Sequence, residues 1–337
     1  MRRQNLWRQN LLEMRILIDK YIPLIKGLAE PYAMTEYLEP NEFTPATVAT
    51  ADALIVRTRV KCNADLLEGS AVKFIATATI GYDHIDAEYC RKAGIAWRNA
   101  PGCNADSVLN YIDAALHYSI ESPEGKTIGI VGVGNVGSRV YKRALDLGMR
   151  TLLSDPPLEA AGGSGLEFAS LEQIAKEADV ITFHVPLDST TRHIANADFF
   201  NKCKPDAIII NASRGAVLCT EDALAASQKF VIDCWEGEPY INRELLKKSI
   251  LATPHIAGYS LDGKANGTVA ALNATSEFFG WGAKFSVDML GLPPKDFSKR
   301  YDIASESTAL KAAPEKFEWF RNNYPVRRDL VQLTVDN

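Results

Sequence analysis

The chain has 337 residues, of which 47% are apolar, which is enough for two or three domains with full cores. Its 37 basic and 42 acidic residues give a net charge of −5, which argues against a nucleic acid or a membrane surface as a partner. No apolar run approaches the ~20 residues that a membrane helix needs.

The six cysteines are scattered along the chain, and no two of them form a Cys-x-x-Cys pair. We therefore expect no metal site and no disulfide framework, but reduced thiols in a cytoplasmic protein. The first residues, Met1 to Glu13, are polar and basic and lack the apolar core of a signal peptide. Because a clean strand pattern begins at Met14, either this methionine is the functional start or the leader is a loose extension.

From Met14 to about Ala100, short apolar segments alternate with helical patterns. The strands predicted here cover residues 15–18, 53–56, 73–76 and 95–97, and the helices cover 64–67 and 87–92. This alternation predicts a parallel sheet covered on both faces. A longer helix over 105–120 is a candidate connector to a second α/β unit.

The second unit opens with an apolar run, 127–131, followed by Gly132-Val-Gly-Asn-Val-Gly137 and a helical pattern. Gly132 allows the tight turn, Gly134 lets the backbone approach a pyrophosphate, and Gly137 lets helix and strand pack closely. The next strand ends at Asp155, 155 − 132 = 23 residues after Gly132, near the ~20 expected for an acid that accepts the ribose hydroxyls. That acid would repel a ribose phosphate, so NAD is favoured over NADP. The alternative is a loop without ligand and an Asp that caps a turn.

Six strands are predicted in this unit, over 128–131, 151–154, 180–183, 207–211, 230–234 and 250–252. Six strands with helices between them predict a doubly wound nucleotide-binding sheet, with ligands outside the carboxyl ends of the strands. A helix over 261–280 is expected to return the chain to the first unit. The last segment, from Arg300, is too short to bury a core alone, and its aromatic residues indicate packing against a partner subunit. The alternative is that it packs on its own chain.

Three polar residues at or just past strand ends could carry a hydride-transfer reaction. His255 could be the base for a hydroxyl proton, because its ordinary pKa is near neutrality. Glu238 could bind the second imidazole nitrogen, and Arg214 could grip a substrate carboxylate with its planar fork. Singly, each residue is more simply interpreted as structural: a satisfied histidine, a turn acid and a surface arginine. Together, after a dinucleotide motif, they are more specific.

Through these residues and the glycine motif, the chain resembles the D-isomer-specific 2-hydroxyacid dehydrogenases from Met14 to about Gly282. The resemblance implies a fold of two Rossmann-like doubly wound parallel-sheet domains of the α/β class with a short C-terminal α+β dimerisation segment. The substrate (flavodoxin-like) domain would comprise residues 14–107 and 265–288, the NAD-binding domain 108–264 and the dimerisation segment 289–337.

The resemblance also implies roles for individual residues. Arg214, Glu238 and His255 would be catalytic, and Thr58, Thr79 and Tyr259 would contact the substrate. To these we add Arg57 as a candidate for the substrate phosphate. The cofactor-binding residues expected for NAD are Gly132, Gly134, Asn135, Val136, Gly137, Asp155, Val185, Pro186, Ala212, Ser213, Asp233 and Gly258.

The expected partners are a phosphorylated hydroxy-acid substrate and a second copy of the chain. Within the family, the resemblance is strongest to the members that act on 4-phospho-D-erythronate. It implies oxidation of this substrate at C2, in pyridoxal phosphate synthesis. The alternatives are other members of the family, acting on 3-phosphoglycerate, hydroxypyruvate or glyoxylate, and a non-catalytic scaffold that senses NADH. Two residues depart from the family pattern: Asn110, where relatives usually carry Glu, and Val185, where a polar residue is usual.

Overall fold

The computed structural model describes residues 14–297, 301–331 and 333. The predictions for Met1 to Glu13 lie outside the described residues. The chain divides into two compact units, each built from two separate stretches. The first combines Met1–Asn104 with Leu261–Pro294, and the second combines Ala105–Ser260 with Lys295–Asn337.

The first unit contains a five-stranded parallel sheet in the order β2-β1-β3-β4-β5. Its strands are β1 Arg15–Asp19, β2 Met34–Leu38, β3 Ala53–Val56, β4 Phe74–Thr77 and β5 Ala96–Arg98. Its helices are Pro45–Val48, Ala64–Leu67, Ala87–Ala93 and Leu261–Phe279, with 3-10 turns at Pro40–Glu42 and Val287–Leu290. Four of the strands were predicted within one or two residues. The fifth, β2, was missed because it is an edge strand with only Leu38 buried, and its sequence, Met-Thr-Glu-Tyr-Leu, is neither an apolar run nor a strict alternation.

The second unit contains a six-stranded parallel sheet in the order β11-β10-β9-β8-β6-β7. Its strands are β6 Thr127–Val131, β7 Arg150–Ser154, β8 Val180–Phe183, β9 Ile208–Asn211, β10 Lys229–Ile232 and β11 Leu251–Ala252. The helices between and before them are Ala105–Ser119, Gly137–Asp146, Pro156–Ala161, Leu171–Glu177, Ala197–Lys202, Thr220–Ala225 and Arg243–Lys248, with a 3-10 turn at Gly215–Val217. The doubly wound sheet predicted for this unit is confirmed.

Alternate residues of the second sheet enter two separate cores. Ile128 and Ile130 of β6 join the core formed with helix Ala105–Ser119, whereas Ile181 and Phe183 of β8 join the core on the opposite face. The chain runs outward from β6 to β7 and then crosses back to β8, so the strand order reverses between β6 and β8. Crevices for ligands open at the carboxyl ends of strands at such a reversal.

The described part of the C-terminal segment packs on the second unit. It forms helices Ile303–Ala312 and Phe317–Asn322, joined by a 3-10 turn at Pro314–Lys316. Leu310 and Phe317 are buried in one core of this unit and Ile303 in the other. The described residues of this segment contain helices and no strand, so they give no support to the strand part of the α+β prediction. Its sequence instead begins a helix with an Asp302 N-cap that accepts the Ser305 N–H.

One departure from the family pattern, Asn110, has a structural role. Its side chain is buried in helix Ala105–Ser119, and its Oδ1 accepts the backbone N–H groups of Leu330 and Val331, both at 3.1 Å. A glutamate carboxylate would place a buried charge here. The amide therefore fastens the end of the chain to its own unit without that charge.

None of the described helices is both long and apolar enough to cross a membrane.

A dinucleotide loop and a candidate active site

The glycine loop after β6 has the backbone that a tight turn requires. Gly132 has a φ of +88°, and a Cβ there would lie 2.6 Å from the carbonyl oxygen of His184. A Cβ on Gly137 would lie 1.9 Å from the carbonyl oxygen of Gly132. A Cβ on Gly134 would meet nothing within 4 Å, so this glycine faces open space rather than protein. This is the arrangement in which a pyrophosphate reaches the backbone at the start of a helix.

Asp155 lies directly beside this loop. Its Oδ2 accepts the Val133 N–H at 2.8 Å, and its Oδ1 accepts the Leu158 N–H at 3.0 Å. The side chain thus joins the end of β7 to the loop after β6 and also caps helix Pro156–Ala161. Both carboxylate oxygens keep lone pairs for further donors. The loop and this acid fit a bound dinucleotide, with the phosphates on the loop and the ribose on Asp155.

The segment after β8 lies next to the glycine loop, where the strand order reverses between β6 and β8. The Nε2 atom of His184 lies 3.0 Å from the Thr182 hydroxyl, and burial lowers the pKa of His184 to about 3, so the ring is neutral at physiological pH. A Cβ on Gly132 would lie 2.9 Å from a methyl group of Val185, which packs against the core. Pro186 follows, exposed to solvent. Val185 and Pro186 therefore follow the end of β8, and the side chain of Val185 is partly buried against the core.

Asp233, at the end of β10, is fully buried. Its Oδ1 accepts the Thr253 hydroxyl at 2.7 Å and the Ile256 N–H at 2.8 Å, while its Oδ2 accepts the Ala257 N–H at 2.9 Å. Burial raises the pKa of this carboxyl, against the effects of His255 and these donors. These three bonds hold the turn after β11, which is the segment that carries His255 and Gly258, and the Cys234 thiol approaches Oδ2 to 4.0 Å.

His255 and Glu238 form the predicted pair. The Nδ1 atom of His255 lies 2.6 Å from Oε1 of Glu238, and the Trp235 N–H donates to Oε2 of the same carboxylate at 3.2 Å. Burial disfavours the imidazolium, but Cys234 and the Glu238 carboxylate outweigh it, and the His255 pKa is raised well above its ordinary value. Burial likewise opposes ionisation of Glu238, but hydrogen bonding to His255 lowers its pKa on balance. The pair leaves Nε2 as the ring atom for proton exchange.

Arg214 follows β9 in a loop held by buried polar contacts. The Asn211 amide donates to the Arg214 carbonyl oxygen at 3.0 Å and to that of Cys234 at 3.3 Å. Asn211 also accepts the N–H and hydroxyl of Ser213. A Cβ on Gly215 would lie 2.1 Å from the backbone of Trp235. Only glycine lets this loop lie against the segment that carries Glu238, so the Ser-Arg-Gly sequence has a steric basis.

Arg214, Glu238 and His255 line one cavity of about 350 Å³. The complete lining is Leu187, Arg192, Arg214, Gly215, Ala216, Trp235, Glu236, Gly237, Glu238 and His255. The structure thus brings the three predicted catalytic side chains together, on loops that follow three different strands. A base, its orienting carboxylate and a cation are the groups that oxidation of a 2-hydroxy acid needs.

Sequence reasoning missed a second histidine–carboxylate pair at this cavity. The Nε2 atom of His193 lies 2.7 Å from Oε1 of Glu236, and Arg192 approaches the same oxygen to 3.7 Å. Burial opposes ionisation of Glu236, but the His193 and Thr220 hydrogen bonds lower its pKa. Glu236 and Glu238 are two positions apart; Glu238 contacts His255 as predicted, whereas the Glu236–His193 contact has no signal in the sequence. The structure separates the two roles.

The substrate-binding residues predicted in the first unit follow the carboxyl ends of two neighbouring strands, β3 and β4. Thr58 lies after β3 and is exposed, and Thr79 lies after β4, its hydroxyl 2.7 Å from that of Thr77. Arg57 donates to the carbonyl oxygen of Tyr21, 3.1 Å away, after the end of β1. In the second unit, Tyr259 follows Gly258 and packs edge-on against Tyr324, with ring centroids 5.8 Å apart. Ala212 directly follows β9.

The described residues hold no group of three or more His, Cys, Asp or Glu side chains placed to bind a metal ion, and all six cysteines are free thiols. Residues 97–257 match the family model of the D-isomer specific 2-hydroxyacid dehydrogenase NAD binding domain. The chain is 48% identical over 343 aligned residues to the erythronate-4-phosphate dehydrogenase of Bacteroides thetaiotaomicron, covering 94% of this chain and 97% of that protein.

The chain belongs to the erythronate-4-phosphate dehydrogenases. It is also 40% identical to the enzyme of that name from Photorhabdus laumondii, with 96% of this chain and 94% of that protein covered. The resemblance inferred from the sequence is thereby confirmed, as is NAD as cofactor. The chain shares its fold with NAD+-bound 3-phosphoglycerate dehydrogenase of Entamoeba histolytica, at a TM-score of 0.70 and 24% identity, covering 80% of this chain and 97% of that one. D-2-hydroxyisocaproate dehydrogenase gives the same TM-score at 21% identity, covering 81% and 99% of the two chains.

Proposed function

We propose that the protein catalyses the NAD-dependent oxidation of 4-phospho-D-erythronate at C2 to (R)-3-hydroxy-2-oxo-4-phosphooxybutanoate, a step in pyridoxal 5'-phosphate biosynthesis. The observation that carries this proposal is the His255–Glu238 pair, 2.6 Å apart, in one cavity with Arg214. The relatives that share the full length of the chain are named for erythronate 4-phosphate. The residues of the cavity support the reaction class, and the names of the relatives support the substrate.

His255 removes the C2 hydroxyl proton during oxidation and returns it during reduction. The nicotinamide ring of bound NAD supplies the acceptor for the C2 hydride. The Glu238 carboxylate orients the imidazole and stabilises the imidazolium that the proton transfer creates. Because this pair raises the His255 pKa, the neutral base becomes available only as the pH rises, so we propose that oxidation is favoured in alkaline solution.

Arg214 binds the substrate carboxylate and polarises the C2 oxygen. A guanidinium presents two parallel N–H donors to a carboxylate, which fixes the orientation of the acid as well as its charge. The Asn211 contacts and the close approach of Gly215 to Trp235 hold the loop that presents this side chain. We propose further substrate contacts for Thr58, Thr79 and Tyr259, with Arg57 serving the phosphate.

Turnover on matched substrates tests the proposal. We expect kcat/KM to be at least tenfold higher for 4-phosphoerythronate than for 3-phosphoglycerate, measured as oxidation with NAD and as reduction of the matching 2-oxo acids with NADH. A preference for 3-phosphoglycerate would keep the catalytic residues and overturn the substrate. Tight NADH binding without turnover on either acid would favour the non-catalytic scaffold.

Replacing Asp155 by alanine is expected to relax the preference for NAD. The carboxylate is fixed at the loop by the Val133 N–H, where it repels the extra phosphate of NADP. Removing it should lower the NAD:NADP ratio of kcat/KM about tenfold or more, the size of one charged contact. Asp188→Ala, on an exposed loop, is the control. An unchanged ratio in the Asp155 variant would remove it as the ribose acid.

We also propose a homodimer in the cytoplasm. In the described C-terminal segment Ile303, Leu310 and Phe317 are buried, whereas Trp319 and Val326 are largely exposed, at 58% and 77%. Large exposed side chains on a short segment are typical of a subunit contact. Sedimentation of the whole chain at several concentrations tests this proposal, and a monomer at every concentration would contradict it.

A further inference from the structure

The turn that carries His255 is braced by a side chain far away in the sequence. Nη2 of Arg327, in the C-terminal segment, donates to the Ala257 carbonyl oxygen at 2.6 Å and approaches that of Ile256 to 3.4 Å. The N–H groups of the same two residues donate to Asp233, at 2.8 and 2.9 Å. The two residues that follow His255 are thus held at both backbone groups: the Asp233 carboxylate binds their N–H groups, and the Arg327 guanidinium binds their carbonyl oxygens.

This turn has an unfavourable backbone that needs such support. His255 has a φ of +55°, in the left-handed region that residues other than glycine rarely adopt. Such a backbone is strained and persists only where the surroundings fix it. The ring of His255 is placed by this backbone as well as by its bond to Glu238. Loss of one brace would let the backbone relax and move the ring away from the carboxylate.

Arg327 is itself held in a cage of aromatic and acidic groups. Its guanidinium lies 4.2 Å from the ring centroid of Tyr301 and 5.7 Å from that of Tyr324. Glu306 accepts both tyrosine hydroxyls at 2.5 Å, and burial raises the pKa of each tyrosine, so both remain protonated donors. The charge of Arg327 is balanced by Glu306 and by Asp329, which also accepts the hydroxyls of Ser107 and Ser260.

The directed bonds of Arg327 go to the turn rather than to a carboxylate. Its Nε and Nη1 groups are buried and have no hydrogen-bond partner in the described part of the chain. A buried donor without a hydrogen bond is destabilising, so this placement is not the most stable one for an arginine. A residue that served stability alone would be better paired. What the side chain does accomplish is to fix the carbonyl groups next to His255.

We propose that Arg327 is a positioning residue for His255, and that the C-terminal segment is therefore part of the active site of its own chain. This inference rests on the catalytic role proposed for His255. It assigns the segment a task that is independent of any contact between subunits. The side chain acts through the turn and touches neither substrate nor cofactor.

The test compares Arg327→Met and Arg327→Gln with Arg327→Lys, which keeps the charge and one donor. The control is Lys316→Met, which removes an exposed positive charge from the same segment. Circular dichroism and thermal unfolding establish that each variant is folded. The readouts are kcat for 2-oxo-acid reduction as a function of pH, the dissociation constant of NADH, and the titration of the His255 imidazole followed by NMR.

We expect Arg327→Met to lower kcat about ten- to hundredfold, part of the 10²–10⁴-fold contribution of a general acid or base, while NADH binding changes less than threefold. Glu238 raises the His255 pKa, so a loosened pair should titrate at lower pH. Reduction needs the imidazolium and is lost as pH rises through that pKa, so the loss should also move to lower pH. Arg327→Lys should recover part of the rate, and Lys316→Met should match the parent chain.

A folded Arg327→Met chain with the parent kcat and His255 titration would overturn the inference. If that variant does not fold, Arg327→Gln decides in the same way. The NMR titration needs no substrate, so the inference is decided even if the parent chain does not turn over phosphoerythronate. Absence of parent turnover would instead count against the proposed function.

Discussion

Replacing His255 by alanine is expected to lower kcat for both directions of the reaction by about a hundredfold or more, in line with general acid–base contributions. NADH binding should stay nearly intact, because the glycine loop and Asp155 lie on other strands of the sheet. The variant should also lose the pH dependence that the raised His255 pKa imposes on the parent enzyme. Steady-state kinetics across pH and NADH titration by fluorescence measure all three quantities.

His117→Ala is the matched control for this experiment. His117 lies near the end of helix Ala105–Ser119 with its side chain 41% exposed, and it lines no part of the cavity. This variant should keep the parent rate. A normal rate in the His255 variant would remove that residue from its role and leave the cavity without an assigned base.

Replacing Arg214 by lysine is expected to lower kcat/KM by about a hundredfold, and replacing it by methionine by more. Each hydrogen bond between charged groups contributes about 1.5–3 kcal/mol, and lysine cannot present two parallel donors to a carboxylate. Because a fixed cation acts on the C2 oxygen as well as on the carboxylate, we expect kcat to fall along with a rise in KM.

Arg192→Met tests whether any positive charge at the cavity would serve. Arg192 lines the same cavity but lies 3.7 Å from Glu236, with a side chain 57% exposed. Its loss should change kcat/KM much less than the loss of Arg214. Equal effects of the two variants would mean that the cavity needs a general positive field rather than the fork of Arg214.

The sheets were predictable because their signals are local. Strands such as β8, Val-Ile-Thr-Phe, and β9, Ile-Ile-Ile-Asn, are fully buried and rich in apolar residues, and the glycine loop predicts its own turn. The edge strand β2 gave no such signal, since only one of its five residues is buried and its apolar residues neither run together nor alternate strictly. In the C-terminal segment, the aromatic residues indicated packing against a partner subunit but did not predict the helices that its described residues form.

The catalytic set was predictable from chemistry and strand ends, but its supports were not. Glu238 and His255 each belong to a recognisable motif, and the structure joins them. Arg327 follows no motif and meets the turn after His255 across about seventy residues, at 2.6 Å from Ala257. Asn110 likewise looked like a lost charge and proves to hold the backbone of Leu330 and Val331. Contacts of this kind depend on tertiary packing, which no local pattern encodes.

The assembly of each unit from two stretches of chain constrains how the protein can be cut and how it folds. No fragment made by a single cleavage contains one unit alone, because Ala105–Ser260 separates the two stretches of the first unit and Leu261–Pro294 separates those of the second. An isolated nucleotide-binding unit would require a linker from Ser260 to Lys295. Because each unit must wait for its later stretch, both depend on contacts between distant residues, and such topologies fold slowly compared with helical bundles of local contacts.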